Sequence, residues 1–126
     1  MKRYLLILLL AGCASRAPES PPSAPTPAPI PETPIARESV AIAGLMESAR
    51  SDAAAGRLVQ AAGTLERALR IEPRNPRLWH ELAKVRLRQG DAAQAANLAA
   101  RSNSFAGSDS TLRAANQNII EQSRGR

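Results

Sequence analysis

The chain opens on an unbroken apolar run and later places apolar residues at helical spacing. Every residue from 5 to 10 is Leu or Ile. From about residue 39 onward, apolar residues recur every three or four positions, as on the buried face of an α-helix. This spacing predicts four helices, over about 39–54, 58–71, 76–89 and 92–104. A fifth amphipathic segment, 110–122, carries Leu112, Ala115, Ile119 and Ile120 on one side.

Polar and small residues mark where these helices begin and end. Asn75 precedes a proline, and an Asn cap before a proline in the first turn is a good helix start. Asp91 with Gln94 three residues later is a variant of the capping box. Gly56 and Gly90 each follow a predicted helix and permit a tight turn into the next one.

The helical part of the chain repeats itself with a period of 34 residues. The matching pairs are Leu45 and Trp79, Ala49 and Ala83, Gly56 and Gly90, and Ala61 and Ala95. This period with these residue types resembles the tetratricopeptide repeat, a pair of antiparallel helices that stacks on its neighbours. The resemblance implies an all-α fold, a short α-solenoid of two helix pairs and a C-terminal capping helix. The repeats would span about 42–75 and 76–109, and the cap 110–123. The alternative for this last segment is a helix that binds a partner.

The two repeats depart from the family pattern at four positions. Asp52 and Arg86 stand where the family has a tyrosine, Ser48 where it has a leucine, and Ala99 where it has an aromatic residue. Because these side chains are smaller or more polar, we predict thinner packing than in a typical member. Ala61 and Ala95 lie where the two helices of a pair cross closely, and Trp79 is predicted to be a core residue.

The apolar run near the N-terminus belongs to a leader. Two basic residues precede it, and Leu10-Ala11-Gly12-Cys13 follows it. That tetrapeptide resembles the lipobox of bacterial lipoproteins, which implies a signal peptide over 1–12 and a covalent lipid on Cys13. The alternative is a signal peptide with an incidental cysteine. Residue 14 is Ala and not the Asp that retains lipoproteins in the inner membrane of enteric bacteria, so we expect a lipid-anchored protein of the outer membrane, facing the periplasm.

A proline-rich segment separates Cys13 from the helical domain at 38–126. Eight of the ten prolines lie between Pro18 and Pro34, and alternating prolines favour polyproline II over helix. We predict a disordered tether over 13–37 that reaches roughly 75 Å at ~3.1 Å per residue. The alternative is a ligand for a proline-binding domain.

Composition and motifs argue against catalysis. The chain is 44% hydrophobic, but 25 of its 126 residues are alanines, and beyond the leader the aromatic residues are Trp79 and Phe105. Such a chain is too small for a large enzyme and too poor in β-branched and aromatic residues for an all-β domain. His80 is the only histidine, and no nucleophile or phosphate-loop motif is present. We therefore predict no enzymatic activity, no metal and no cofactor apart from the lipid.

The first helix of each pair lines a partner-binding groove in tetratricopeptide folds. The corresponding residues of the second repeat are basic and share one helix face: Arg77, His80, Lys84 and Arg88. Those of the first repeat are Ala43, Met46, Arg50 and Ala53. We predict a groove formed by Met46, Arg50, Arg77, His80, Lys84 and Arg88 that favours an acidic or carboxylate-bearing segment. The alternative is a solvated basic face without a ligand.

The net charge of +6 invites a comparison with nucleic-acid-binding proteins, but an exported lipoprotein rarely meets nucleic acid. Anionic lipid headgroups, cell-wall polymer or an acidic protein are better candidates. The layout of lipobox, proline-rich tether and short repeat domain resembles the LpoP-type outer-membrane activators of class A penicillin-binding proteins, which implies a protein partner that synthesises peptidoglycan. Alternatives are a pilotin or envelope-assembly subunit, a structural tether to the cell wall, and an accessory factor of another enzyme.

Overall fold

The computed structural model describes the backbone of residues 34–125 and the side chains of residues 39–125. The leader, Cys13 and the tether up to residue 33 lie outside the described residues, so the predictions for them stay predictions. None of the helices within 34–125 combines the length and the apolar character needed to cross a bilayer.

Five helices and no strand form the described part of the chain. The helices are α1 (Pro34–Ala54), α2 (Leu58–Ile71), α3 (Pro76–Arg88), α4 (Ala92–Phe105) and α5 (Ser110–Arg124). Consecutive helices pack on each other, and α3 also contacts α1 and α5. The predicted all-α solenoid of two helix pairs and a cap is confirmed. Helix α1 begins four residues before the predicted domain boundary at residue 38, because Pro34 is tolerated in the first turn of a helix.

The 34-residue period appears as two copies of one helix-ending motif. Gly56 and Gly90 adopt φ values of 80° and 88°, in the left-handed region that favours glycine. The N–H groups that follow them donate to carbonyls five residues earlier, Arg57 to Asp52 at 2.8 Å and Asp91 to Arg86 at 3.0 Å. These are Schellman motifs, which satisfy carbonyls left over at a helix end.

Side-chain caps begin three of the helices. Asn75 Oδ1 accepts a hydrogen bond from the Arg77 N–H at 3.0 Å, as predicted. Asp91 Oδ1 accepts one from the Gln94 N–H at 3.0 Å. In a full capping box, the Gln94 side chain would also accept a hydrogen bond from the Asp91 N–H. Here that N–H donates to the Arg86 carbonyl in the preceding Schellman motif. Asp109 caps α5 in the same way, accepting from the Leu112 N–H at 2.9 Å.

Helix α3 divides the core into two clusters. One side of α3 carries Leu78, Leu82 and Val85 into a cluster with α1 and α2. The other side carries Ala83 and Leu87 into a cluster with α4 and α5. Ala61 and Ala95, which are predicted to lie at close helix crossings, are both fully buried, and the matching pair Ala49 and Ala83 is buried as well.

Ion pairs occupy the two positions where the family has a tyrosine. Asp52 pairs with Arg57 across the turn between α1 and α2, with Oδ1 2.8 Å from Nη2. Arg86 pairs with Glu66 and so joins α3 to α2. An ion pair across a turn and one between two helices thus stand where the family has an aromatic residue.

Candidate protein-binding face

Helices α1, α3 and α5 form one face of the domain, which we call the α1–α3–α5 face. Three adjoining cavities lie along it. The first, of about 420 Å³, lies beside α1 and the turn before α3. The second, of about 410 Å³, lies between α3 and the start of α5, and the third, of about 310 Å³, lies between the C-terminal halves of α1 and α3. Arg50 lines all three, so the cavities form one continuous surface around it.

The structure brings all six predicted groove residues to this face. The first cavity is bordered by Met46, Arg50 and Arg77. Arg50, Arg77 and His80 border the second, and Arg50, Lys84 and Arg88 the third. Because α1 and α3 hold equivalent positions in consecutive repeats, their matching faces lie side by side.

Glu81 places a carboxylate in the middle of this face, between two of the cations that the sequence predicts there. Arg50 Nε and Nη2 both donate to Glu81 Oε1, at 3.0 and 2.8 Å, and Lys84 Nζ donates to Oε2 at 2.9 Å. Glu81 is 8% exposed. Burial raises the pKa of the Glu81 carboxyl, but the hydrogen bonds and positive charges of Lys84 and Arg50 outweigh it, and the net effect is a lowered pKa. Glu81 is therefore an anion that holds two cations in place.

The other two arginines of the face, Arg77 and Arg88, differ in their hydrogen bonds. Arg88 Nη1 donates to the Ala53 carbonyl at 2.6 Å and ties the end of α3 to the end of α1. The exposed Arg77 guanidinium makes no ion pair or hydrogen bond with any side chain among the described residues. Arg77 borders both the first and the second cavity, so it is the cation best placed to receive a ligand carboxylate.

A buried polar network fixes His80 against α5. Asn116 Nδ2 donates to Ser102 Oγ and to Asn103 Oδ1, each at 2.8 Å, and Ser102 Oγ donates to the Pro76 carbonyl at 2.7 Å. These bonds set the orientation of the Asn116 amide, whose Oδ1 lies 2.7 Å from His80 Nδ1. We therefore assign the proton to Nδ1, which leaves Nε2 as an acceptor when the ring is neutral.

Sequence reasoning missed Glu81 and Asn116, although each left a signal. Glu81 lies four residues after Arg77 and three before Lys84, which places it on the same helix face. Asn116 lies four residues after Leu112 and three before Ile119, in the middle of the apolar side of α5. A lone polar residue in that position requires buried hydrogen-bond partners.

Trp79 is more exposed than the prediction of a core residue implied. The ring packs against the first core cluster, but part of it reaches the surface. Its Nε1 donates to the Pro73 carbonyl at 2.8 Å, which anchors the indole beside the turn between α2 and α3. Among residues 34–125, no three His, Cys, Asp or Glu side chains gather as a metal site would require.

Comparisons with known proteins agree with this architecture. A family model described as tetratricopeptide repeat matches residues 52–118, more than half of the chain. The solved structure of the globular C-terminal domain of P. aeruginosa LpoP is similar at 42% sequence identity with a TM-score of 0.65, and the match covers 67% of this chain and 79% of that one. No curated protein matched. The chain belongs to the tetratricopeptide repeat family, and its helical domain is similar to that of LpoP.

Proposed function

We propose that this protein is a lipid-anchored adaptor of the outer membrane whose repeat domain binds and activates a class A penicillin-binding protein. The observation that carries the proposal is the similarity to the LpoP domain, at 42% identity over most of its length. LpoP-type lipoproteins stimulate peptidoglycan synthesis by such enzymes, and the resemblance of the sequence layout points the same way. The binding surface in this proposal is the α1–α3–α5 face.

The chemistry of that face suits a protein segment. Met46 and Ala43 border the first cavity and offer apolar contact to a ligand, while Arg77 offers an unpaired guanidinium. A planar guanidinium binds a carboxylate through two parallel hydrogen bonds, which fixes the orientation of the ligand. The Arg50–Glu81–Lys84 cluster would attract an anion less strongly than two free cations, because Glu81 holds both cations and cancels one of their two charges.

The proposed anchor is a lipid on Cys13, and residues 14–33 would form the spacer. Twenty residues at ~3.1 Å each in a polyproline II conformation would reach roughly 60 Å. That distance would let the domain meet a periplasmic partner away from the membrane. Cys13→Ser should move the chain from the membrane fraction to the soluble fraction, and retention in the membrane would argue against this anchor.

The proposal is tested by synthesis assays with the chain from Ala14 to Arg126, which lacks the cysteine and therefore cannot carry the proposed lipid. A purified class A penicillin-binding protein from the same bacterium is given a labelled lipid-linked precursor, and polymer is measured with and without the chain. We expect a several-fold rise in the rate of synthesis. An unchanged rate at saturating chain would contradict the activator role.

A further inference from the structure

The arginines of α2, α4 and the turn after α2 form a second basic surface of the domain. Arg70, Arg74 and Arg101 are all exposed, and none pairs with an acidic side chain among the described residues. On the α1–α3–α5 face, by contrast, Arg50 and Lys84 are both held by Glu81. This side of the domain therefore carries uncompensated positive charge, in addition to that of Arg77 on the α1–α3–α5 face.

Two of these arginines border a cleft of about 430 Å³, which we call the α2–α4 cleft. Its walls include Arg70 of α2 and Arg101 of α4. Leu69, Leu82 and Trp79 supply apolar surface between them, with Pro73 at one side. The carboxylate in the cleft is that of Glu66, which is engaged by Arg86.

Aromatic rings hold two of the guanidinium groups in place. The Arg101 guanidinium carbon lies over the Trp79 ring, 4.9 Å from its centroid, and the Arg74 guanidinium carbon lies 5.7 Å from the centroid of Phe105. A guanidinium stacked on a ring keeps its N–H edge available for a carboxylate. Because stacking limits the rotamers of Arg101, less side-chain entropy is lost when a ligand binds.

We propose that the α2–α4 cleft binds an acidic peptide segment of a partner protein, with a carboxylate between Arg70 and Arg101 and a neighbouring apolar side chain against Trp79. Charge complementarity selects an anion, and the apolar surface between the arginines selects a side chain next to it. A membrane surface is the alternative occupant, and the vesicle measurement below distinguishes it from a peptide. The cleft and the α1–α3–α5 face are separate surfaces, so one domain can hold two segments at once.

Selection from a random peptide library tests this proposal. The chain from Ala14 to Arg126 is the target for displayed twelve-residue peptides, and Arg70→Gln/Arg101→Gln is used for counter-selection. We expect peptides enriched in Asp or Glu beside Leu, Ile or Phe. The strongest peptide is then titrated while the emission of Trp79, the single tryptophan, is recorded. Binding should change that emission and weaken as salt rises.

Single variants assign the contacts. Arg70→Gln and Arg101→Gln should each weaken binding about tenfold, as expected when a charge-assisted hydrogen bond is lost. Arg101→Lys keeps the charge and should recover part of the affinity. Arg113→Gln, on the exposed side of α5, is the matched control and should bind like the wild type.

Several outcomes would overturn the proposal. Peptides selected without acidic residues would do so, as would a peptide that binds Arg70→Gln/Arg101→Gln as tightly as the wild type. Loss of binding in Arg77→Gln alone would assign the peptide to the α1–α3–α5 face instead. A change in Trp79 emission with phosphatidylglycerol vesicles and with no peptide would make the cleft a membrane contact.

Discussion

Arg50 and Glu81 join the first helices of two consecutive repeats through two hydrogen bonds to one carboxylate oxygen, at 3.0 and 2.8 Å. Glu81 is nearly buried, so its contact with Arg50 is less screened than a surface ion pair. We expect a double-mutant cycle with Arg50→Met and Glu81→Gln to give a coupling of about 1–2 kcal/mol in urea unfolding.

Glu47 supplies the matched control for this cycle. Its Oε2 lies 3.9 Å from Arg50 Nη1, and its side chain is 78% exposed. The Glu47→Gln cycle with Arg50→Met should give a coupling near zero. Equal couplings for Glu47 and Glu81 would show that burial of Glu81 does not strengthen the contact.

The lowered pKa of Glu81 makes stability depend on pH in the acid range. Because the pKa of the folded state lies below the usual value of 4.5, the Glu81 carboxylate stabilises the fold fully above that pH. The contribution is lost as the pH falls through the folded-state pKa. We expect the free energy of unfolding to fall more steeply below pH 4.5 in the wild type than in Glu81→Gln, as measured by urea titrations from pH 7 to 3. Parallel pH profiles would contradict this role.

Asn116 is predicted to secure α5 to the second repeat. It is fully buried, and its amide bonds to Ser102, Asn103 and His80. Asn116→Ala would leave those groups short of partners, at a cost of about 2–3 kcal/mol. Asn118→Ala, on the exposed side of the same helix, should cost only a few tenths. Thermal unfolding gives both values, and similar melting temperatures for the two variants would refute the network's importance.

Replacing Gly90 and Gly63 by alanine should change the free energy of unfolding in opposite directions. Gly90 has φ +88°, so Gly90→Ala is strained although open space surrounds the position, and it should destabilise by about 1 kcal/mol or more. Gly63 is exposed within α2 with open space around it, and Gly63→Ala should stabilise by about 0.5–1 kcal/mol. Urea unfolding of both variants checks the pair, and a stabilised Gly90→Ala would contradict the turn assignment.

Local chemistry made most of the fold predictable. The 34-residue period, the Asn75 cap and the turns at Gly56 and Gly90 each have a physical cause within a few residues, and each appears as expected. The predicted start of α1 was several residues too late, because Pro34, which lies in the first turn of the helix, ends a run of prolines that favours a non-helical conformation. Local sequence offers no sign that Pro34 differs from the prolines before it.

The charge distribution was harder to predict because it depends on contacts between helices. The basic residues of α3 were correctly placed on one face, but Glu81 receives Arg50 from another helix 31 residues away. Arg101 stacks on Trp79 from α4, and that pairing follows from the crossing of α3 and α4. Reasoning from the sequence of one helix therefore overestimated the number of unpaired charges in the groove. It could not predict the α2–α4 cleft, because residues of three helices form it.

The central claim is that the α1–α3–α5 face binds a class A penicillin-binding protein, and a direct titration tests it. Arg77→Glu reverses a guanidinium of that face that forms no ion pair among the described residues, whereas Arg113→Glu makes the same charge change at a residue that borders none of the three cavities. Calorimetry with the purified enzyme should show saturable binding by the wild type and by Arg113→Glu, and at least about tenfold weaker binding by Arg77→Glu. No binding by the wild type, or equal affinity for all three chains, would contradict the account.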